Sequence, residues 1–171
     1  MSHRVNPIKE MIILSLLGTI VFVLQSALSF LPNIEPVSFL LIIYTLILGK
    51  KAIIPAMVFN MLIGLLRGMG TWWFGYLIVW PLLVLIVLLF KNIIKENFLG
   101  WSILSGVFGL IFGALYAIPQ IIITSPSVAL AYWIRGIPYD IVHMVGNYFI
   151  MLILGKRIYK LLSSLLKKSL N

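Results

Sequence analysis

The chain divides into six apolar segments, separated by short turns that carry Gly, Pro, Asn or charged residues. The segments cover approximately residues 9–31, 36–49, 52–69, 73–90, 98–123 and 138–155. Such runs are typical of helices that cross a bilayer, because a helix satisfies its backbone hydrogen bonds without water. Hydrophobic residues make up 62% of the 171 positions, which is more than a soluble domain of this length buries. We therefore predict a single domain, an all-α integral membrane protein with six transmembrane helices.

The Lys and Arg residues indicate how these helices are oriented. If the N-terminus is cytoplasmic, eleven of the thirteen basic residues lie on the cytoplasmic side, namely Arg4, Lys9, Lys50, Lys51, Lys91, Lys95, Lys156, Arg157, Lys160, Lys167 and Lys168. Only Arg67 and Arg135 then lie outside. The positive-inside rule therefore predicts that both termini are cytoplasmic.

The C-terminal stretch 156–171 alternates Leu pairs with Lys at helical spacing. This pattern predicts a cytoplasmic amphipathic helix that follows the anionic inner surface of the membrane. The basic ends of the helices and this tail account for the net charge of +9. No nucleic-acid partner is needed to explain it.

The outer half of the predicted bundle carries an unusual set of polar and aromatic residues. The ionisable ones are Glu35, Arg67, Arg135, Asp140 and His143, and the aromatic ones include Trp72, Trp73, Tyr76, Tyr132 and Trp133. One interpretation is an aromatic belt at the membrane interface, with both arginines reaching to lipid headgroups. The other is a ligand pocket open to the outside. Three outer loops carry these residues to the same face, which favours the pocket.

The sixth segment carries a polar stripe. The sequence Gly136-Ile137-Pro138 predicts a turn followed by a helix with Pro138 at its first position. Asp140, His143 and Asn147 follow at spacings that place them on one helix face. Such a stripe must face protein or water, so it serves either interhelical hydrogen bonds or the wall of a ligand pocket.

Small residues mark two further helices. On the third, Asn60 and Arg67 share a face with Gly64, which lets another backbone or a ligand approach closely. The fifth carries small residues along one side, which predicts tight helix packing: Ser102, Gly106, Gly109, Gly113 and Ala117.

Catalytic signatures are missing from the sequence. The four acidic residues are scattered, there is no cysteine, and no zinc-protease motif, nucleophile elbow or phosphate-binding loop is present. Two histidines do not form a metal site. We predict a non-catalytic protein without a metal or cofactor of its own, so energy for any active transport comes from a partner or an ion gradient.

Four segments of the chain carry a family resemblance. They are residues 31–38 (LPNIEPVS), 44–51 (YTLILGKK), 131–140 (AYWIRGIPYD) and 143–147 (HMVGN). In these segments, and in its length, basic charge and six predicted helices, the chain resembles the substrate-binding S components of energy-coupling factor (ECF) transporters. It is most similar to the cobalamin-specific S components, and the resemblance covers essentially the whole chain.

The resemblance implies a function and partners. Such subunits bind a vitamin from outside the cell and associate with one transmembrane T subunit and two cytoplasmic ATPases, which use ATP and Mg²⁺. It also implies the cell membrane of a Gram-positive bacterium. The family commonly contacts the T subunit through Ala-x-x-x-Ala on the first helix. Here the matching stretch has Ser15, Gly18 and Thr19, which departs from that pattern.

For cobalamin, aromatic residues would pack on the corrin and polar residues would meet its amides and phosphate. The residues expected to bind the ligand are Glu35, Ser38, Asn60, Arg67, Trp72, Trp73, Tyr76, Tyr132, Trp133, Arg135, Asp140, His143 and Asn147. His143 is also a candidate ligand for cobalt. The alternatives are another vitamin (pyridoxine or hydroxymethylpyrimidine, riboflavin, folate or pantothenate), a stand-alone small secondary transporter, or a structural membrane protein without a small ligand.

Overall fold

The computed structural model describes residues 6–31 and 33–170, and these residues are helical with short connections. The α-helices are α1 (Pro7–Ala27), α2 (Val37–Leu48), α3 (Ile53–Arg67), α4 (Thr71–Ile94), α5 (Phe98–Ile123) and α6 (Pro126–Leu170). A 3₁₀ turn, Gly49–Ala52, joins α2 to α3. The prediction of an all-α protein is confirmed for the described part of the chain. Three residues used above, Arg4, Pro32 and Asn171, lie outside it.

Five helical stretches are long and apolar enough to cross a membrane: Pro7–Ala27, Val37–Arg67, Thr71–Ile94, Phe98–Ile123 and Pro126–Ser169. The second stretch combines α2 and α3, of 12 and 15 residues. At ~1.5 Å per residue neither reaches the ~30 Å thickness of the hydrocarbon core alone. Gly49 interrupts the stretch with a φ of 62°, a left-handed value that suits glycine.

The start of the sixth helix was predicted wrongly. The helix begins at Pro126, and Pro138 lies inside it. Ser125 precedes Pro126, and its Oγ accepts from the backbone N–H of Val128 at 3.4 Å. A serine cap followed by proline at the first helical position strongly favours a helix start. The helix therefore begins there and continues without a break through Gly136-Ile137-Pro138.

Helix α2 forms the centre of the bundle. All residues from Val37 to Thr45 are buried, because the segment carries no charge on any face and a helix that is apolar all round packs best inside. It contacts α4, α5 and α6. On the outside, large apolar side chains such as Leu16, Leu85 and Ile153 are exposed, as a lipid-facing surface requires.

The helices α5 and α6 pack along most of the length of α5. An added Cβ on Gly106 would lie 3.3 Å from the carbonyl oxygen of Met144, and one on Gly109 only 2.8 Å from that of His143. The predicted tight packing of the small-residue face of α5 is therefore confirmed. This packing fixes the rotation of α6 about its axis.

Basic residues gather at one end of the bundle. Lys51 forms an ion pair with Glu10 at the start of α1, and Lys91, Lys95 and Tyr159 line a common cleft. The stretch 156–170 continues α6 as a helix, as predicted. One side of it packs on the bundle through Tyr159 and Leu166, while its lysines are exposed.

Candidate functional site

A cavity of about 780 Å³ lies at the end of the bundle opposite the basic cleft. It is formed by the α1–α2 loop, the first turns of α4, the second half of α5 and the first turns of α6. Its lining residues are Asn33, Tyr76, Phe112, Gly113, Tyr116, Val128, Ala131, Tyr132, Arg135, Gly136, Tyr139 and Asp140. Pockets of ~300–1,000 Å³ that combine aromatic walls with a few polar groups are typical small-molecule sites.

The α6 side of the cavity follows one helix face. Lining positions recur at residues 128, 131–132, 135–136 and 139–140, which is the three-to-four residue spacing of one face of an α-helix. Trp133 lies on another face and does not line the cavity. This register exists only because α6 begins at Pro126, so a loop at this place would have presented different side chains.

Stacked aromatic rings form the main wall. The rings of Phe112 and Tyr116 stack with centroids 5.9 Å apart and 14° between their planes. Tyr132 stacks on Tyr116 at 6.4 Å, and Tyr76 meets Tyr116 edge-on at 6.0 Å. The hydroxyl of Tyr116 donates to the backbone carbonyl of Trp72, which ties α5 to α4. The wall therefore offers aromatic faces that are held in place.

Tyr116 reaches this position because α4 has a glycine beside it. A Cβ on Gly75 would lie 2.7 Å from the Tyr116 ring. Neither Phe112 nor Tyr116 was predicted as a site residue. The available signal was their spacing of four residues next to Gly113 on the small-residue face of α5, but aromatic pairs at this spacing are ordinary in membrane helices.

Asp140 supplies a buried carboxylate at the cavity. Its Oδ1 accepts from the backbone N–H of Gly113 at 3.0 Å. The glycine permits this approach, since a Cβ there would lie 2.4 Å from Oδ2. Asp140 is only 5% exposed, and its Oδ2 has no hydrogen-bond partner among the described residues.

Glu35 and His143 form a buried pair beside the cavity. His143 Nε2 lies 3.0 Å from Glu35 Oε1, and neither side chain lines the cavity. Glu35 also accepts from the backbone N–H of Val37 at 2.7 Å and from the Ser38 hydroxyl at 2.6 Å. Because a carboxylate only accepts, the His143 proton of this pair lies on Nε2. Glu35 thus caps α2 and joins the α1–α2 loop to α6.

Asn60 and Trp73 connect α3 to α4. The Trp73 indole N–H donates to the Asn60 carbonyl at 2.8 Å, and the Asn60 amide donates to the Tyr76 carbonyl at 3.1 Å. Gly64 makes room for the Trp73 ring, because a Cβ there would lie 2.5 Å from Nε1. These residues support the wall that carries Tyr76, and none but Tyr76 lines the cavity.

The structure thus separates the expected ligand-binding residues into two groups. Tyr76, Tyr132, Arg135 and Asp140 line the cavity. The others lie outside its lining: Glu35, Ser38, Asn60, Arg67, Trp72, Trp73, Trp133, His143 and Asn147. Among these, Arg67 is exposed at the end of α3. Asn147 donates to the Ser105 carbonyl at 3.4 Å.

The small residues of α1 have different surroundings. Gly18 is buried against α3, where a Cβ would lie 2.7 Å from the Pro55 carbonyl oxygen. Ser15 and Thr19 are partly exposed, and the Thr19 hydroxyl donates to the Ser15 carbonyl at 3.0 Å. Only Ser15 and Thr19 of the three therefore contribute accessible surface.

Within the described ranges, no three His, Asp or Glu side chains come together as metal ligands would. The cavity presents aromatic faces, one buried acid and one guanidinium. Comparison with known proteins adds no relative: no protein-family model, curated protein or solved structure matches the chain.

Proposed function

We propose that the chain is the vitamin-binding S component of an ECF transporter and that cobalamin or another corrinoid is its ligand. In this proposal six helices lie in the cell membrane, both termini are cytoplasmic and the cavity opens to the outside. The observation that carries it is the cavity of about 780 Å³, in which stacked aromatic rings stand beside Asp140 and Arg135. Flat amphipathic molecules with polar edges fit such a lining.

Two features favour a binding protein over a channel or a secondary transporter. Toward the basic end, the buried side chains around the bundle axis are apolar, among them Leu83, Val87 and Met151. The buried hydroxyls found there, Thr45 and Ser102, donate to carbonyls of their own helices at 2.6 and 2.7 Å. A pathway through the membrane needs polar groups that continue past its midplane. Beyond Asn147 and Ser105, toward the basic end, these two hydroxyls are the buried polar side chains among the described residues.

A titration of the purified chain tests the ligand. We expect cobalamin and cobinamide to raise the melting temperature, whereas riboflavin, thiamine, folate, pantothenate and pyridoxine leave it unchanged. A ligand that binds only the folded state stabilises it in proportion to RT ln(1 + [L]/Kd). Stabilisation by another vitamin alone would reject the corrinoid, and no stabilisation by any compound would reject a vitamin-binding function.

Replacement of Tyr132 tests the position of the site. Tyr132→Ala is expected to weaken corrinoid binding roughly 2- to 12-fold, because stacking of one aromatic ring contributes ~0.5–1.5 kcal/mol. Phe149→Ala is the matched control: both residues lie on α6 and are about equally exposed, at 48% and 50%, but Phe149 does not line the cavity. Equal affinities of the two variants, measured by calorimetry, would place the ligand elsewhere.

Copurification tests the partners. We expect the tagged chain to retain a transmembrane T subunit and two ATPases when all are coexpressed, and uptake into vesicles to require ATP. Ligand uptake by vesicles that contain this chain alone would instead indicate a secondary transporter.

A further inference from the structure

The two buried acids beside the cavity, Glu35 and Asp140, differ in how many of their carboxylate oxygens have a hydrogen-bond partner. Glu35 accepts from Val37, Ser38 and His143, so protein groups satisfy both of its oxygens. Asp140 uses Oδ1 for Gly113 and leaves Oδ2 without a partner among the described residues. A buried acceptor without a donor is unfavourable, and Asp140 is the one of the two that lines the cavity.

Arg135 does not act as the donor to Asp140 Oδ2. It lines the same cavity, yet it forms no ion pair with Asp140 in the described part of the chain. Its side chain is exposed, whereas Asp140 is 5% exposed. The described protein groups therefore leave Asp140 Oδ2 without a donor.

We infer that Asp140 Oδ2 is the specificity-determining acceptor of the cavity, and that it selects ligands with an N–H or O–H donor at the edge of a flat ring system. The ring system lies against Phe112, Tyr116 and Tyr132, which stack beside Asp140. This inference rests on the proposed function and narrows it: among corrinoids the site takes those with side-chain amides and rejects those with carboxylates. Two carboxylates in one site repel each other.

Gly113 determines which Asp140 oxygen is left without a donor. Its N–H only donates, so the atom bound to it must be an acceptor. In Asp140→Asn the amide oxygen must therefore keep the Gly113 bond, and the NH₂ group takes the place of Oδ2. The substitution replaces an acceptor that has no partner by a donor that has no partner. The hydrogen bond between α5 and α6 is preserved.

The test compares two forms of one corrinoid, with intact side-chain amides or with those amides hydrolysed to carboxylates. Calorimetry should show that wild-type protein binds the amide form at least roughly 10-fold more tightly, as expected for a charge-assisted hydrogen bond. Asp140→Asn should abolish or reverse this preference. Gly113→Ala should also abolish the preference for the amide form, because the added methyl displaces the carboxylate. Alanine has a higher helix propensity than glycine, so this effect does not come from weakening α5.

The outcomes separate this inference from the proposed function. If wild-type protein binds neither form, the proposed function fails. If wild-type protein binds both forms equally, or if Asp140→Asn keeps the wild-type preference, the inference fails and corrinoid binding stands. The ratio of affinities for the two forms is measured on wild-type protein, so this part of the test does not depend on a variant that folds. Phe149→Ala, which lies outside the cavity, should keep that ratio.

Discussion

Replacing Glu35 by alanine is expected to destabilise the protein by roughly 3–5 kcal/mol, because each buried donor left without its acceptor costs ~1–3 kcal/mol. Its carboxylate is the acceptor for the backbone N–H of Val37, the Ser38 hydroxyl and His143 Nε2. The substitution leaves these donors buried without a partner and removes a negative charge from the N-terminus of α2. Thermal unfolding in detergent measures the effect.

Two other glutamate variants make this prediction specific. Glu10→Ala removes an ion pair with Lys51, whose side chain is 56% exposed, so the expected loss is below ~1 kcal/mol. Glu35→Gln retains one oxygen acceptor and should lose less than Glu35→Ala. If Glu35→Ala and Glu10→Ala unfold at the same temperature, the buried pair does not stabilise the fold.

The same substitution should also weaken ligand binding, although Glu35 does not line the cavity. Glu35 joins the α1–α2 loop to α6 through His143, and Asn33 of that loop forms part of the cavity lining. Loss of the pair releases this side of the cavity. We therefore expect a lower affinity in Glu35→Ala protein that is still folded at the temperature of measurement.

Gly109→Ala is expected to destabilise the protein by up to roughly 2 kcal/mol. Its Cβ would lie 2.8 Å from the carbonyl carbon and oxygen of His143 and 2.9 Å from the nitrogen of Met144. These are backbone atoms, so α5 and α6 must move apart. Overpacking of this kind costs ~1–3 kcal/mol or more, and the better helix propensity of alanine offsets only ~1 kcal/mol.

Gly106→Ala is the matched control for this substitution. It adds the same methyl group on the same face of α5, one turn away, and its closest contact would be 3.3 Å to the Met144 oxygen. A shift of a few tenths of an ångström accommodates that contact, so the change in melting temperature should be small. Equal losses for both variants would show that the close approach at Gly109 is not what limits the packing.

The polar residues of α6 have different partners at different depths of the bundle. The stripe of Asp140, His143 and Asn147 was expected to serve either interhelical bonds or a ligand wall. All three are buried, but only Asp140 lines the cavity, while His143 bonds Glu35 and Asn147 bonds Ser105. Spacing places the residues on one face, yet depth along the helix decides which of them meets a cavity.

Trp133 and Tyr132 illustrate the same point on one helix. They are neighbours in a segment that the sequence predicts to be a loop. In a loop, either side chain could contact the ligand. Because α6 begins at Pro126, successive residues point about 100° apart. Tyr132 therefore lines the cavity and Trp133 does not.

The apolar segments by themselves determined the helical class and the membrane-compatible surface, because a backbone in lipid must satisfy its own hydrogen bonds and only a helix does so within one segment. They also indicated the close packing of α5, since small residues on one face permit it. Which polar atoms bond within the fold depends on how the helices pack. Glu35 bonds His143 of α6, 108 residues away, and Asp140 bonds Gly113 of α5, 27 residues away. Partners so far apart in the sequence leave no local pattern.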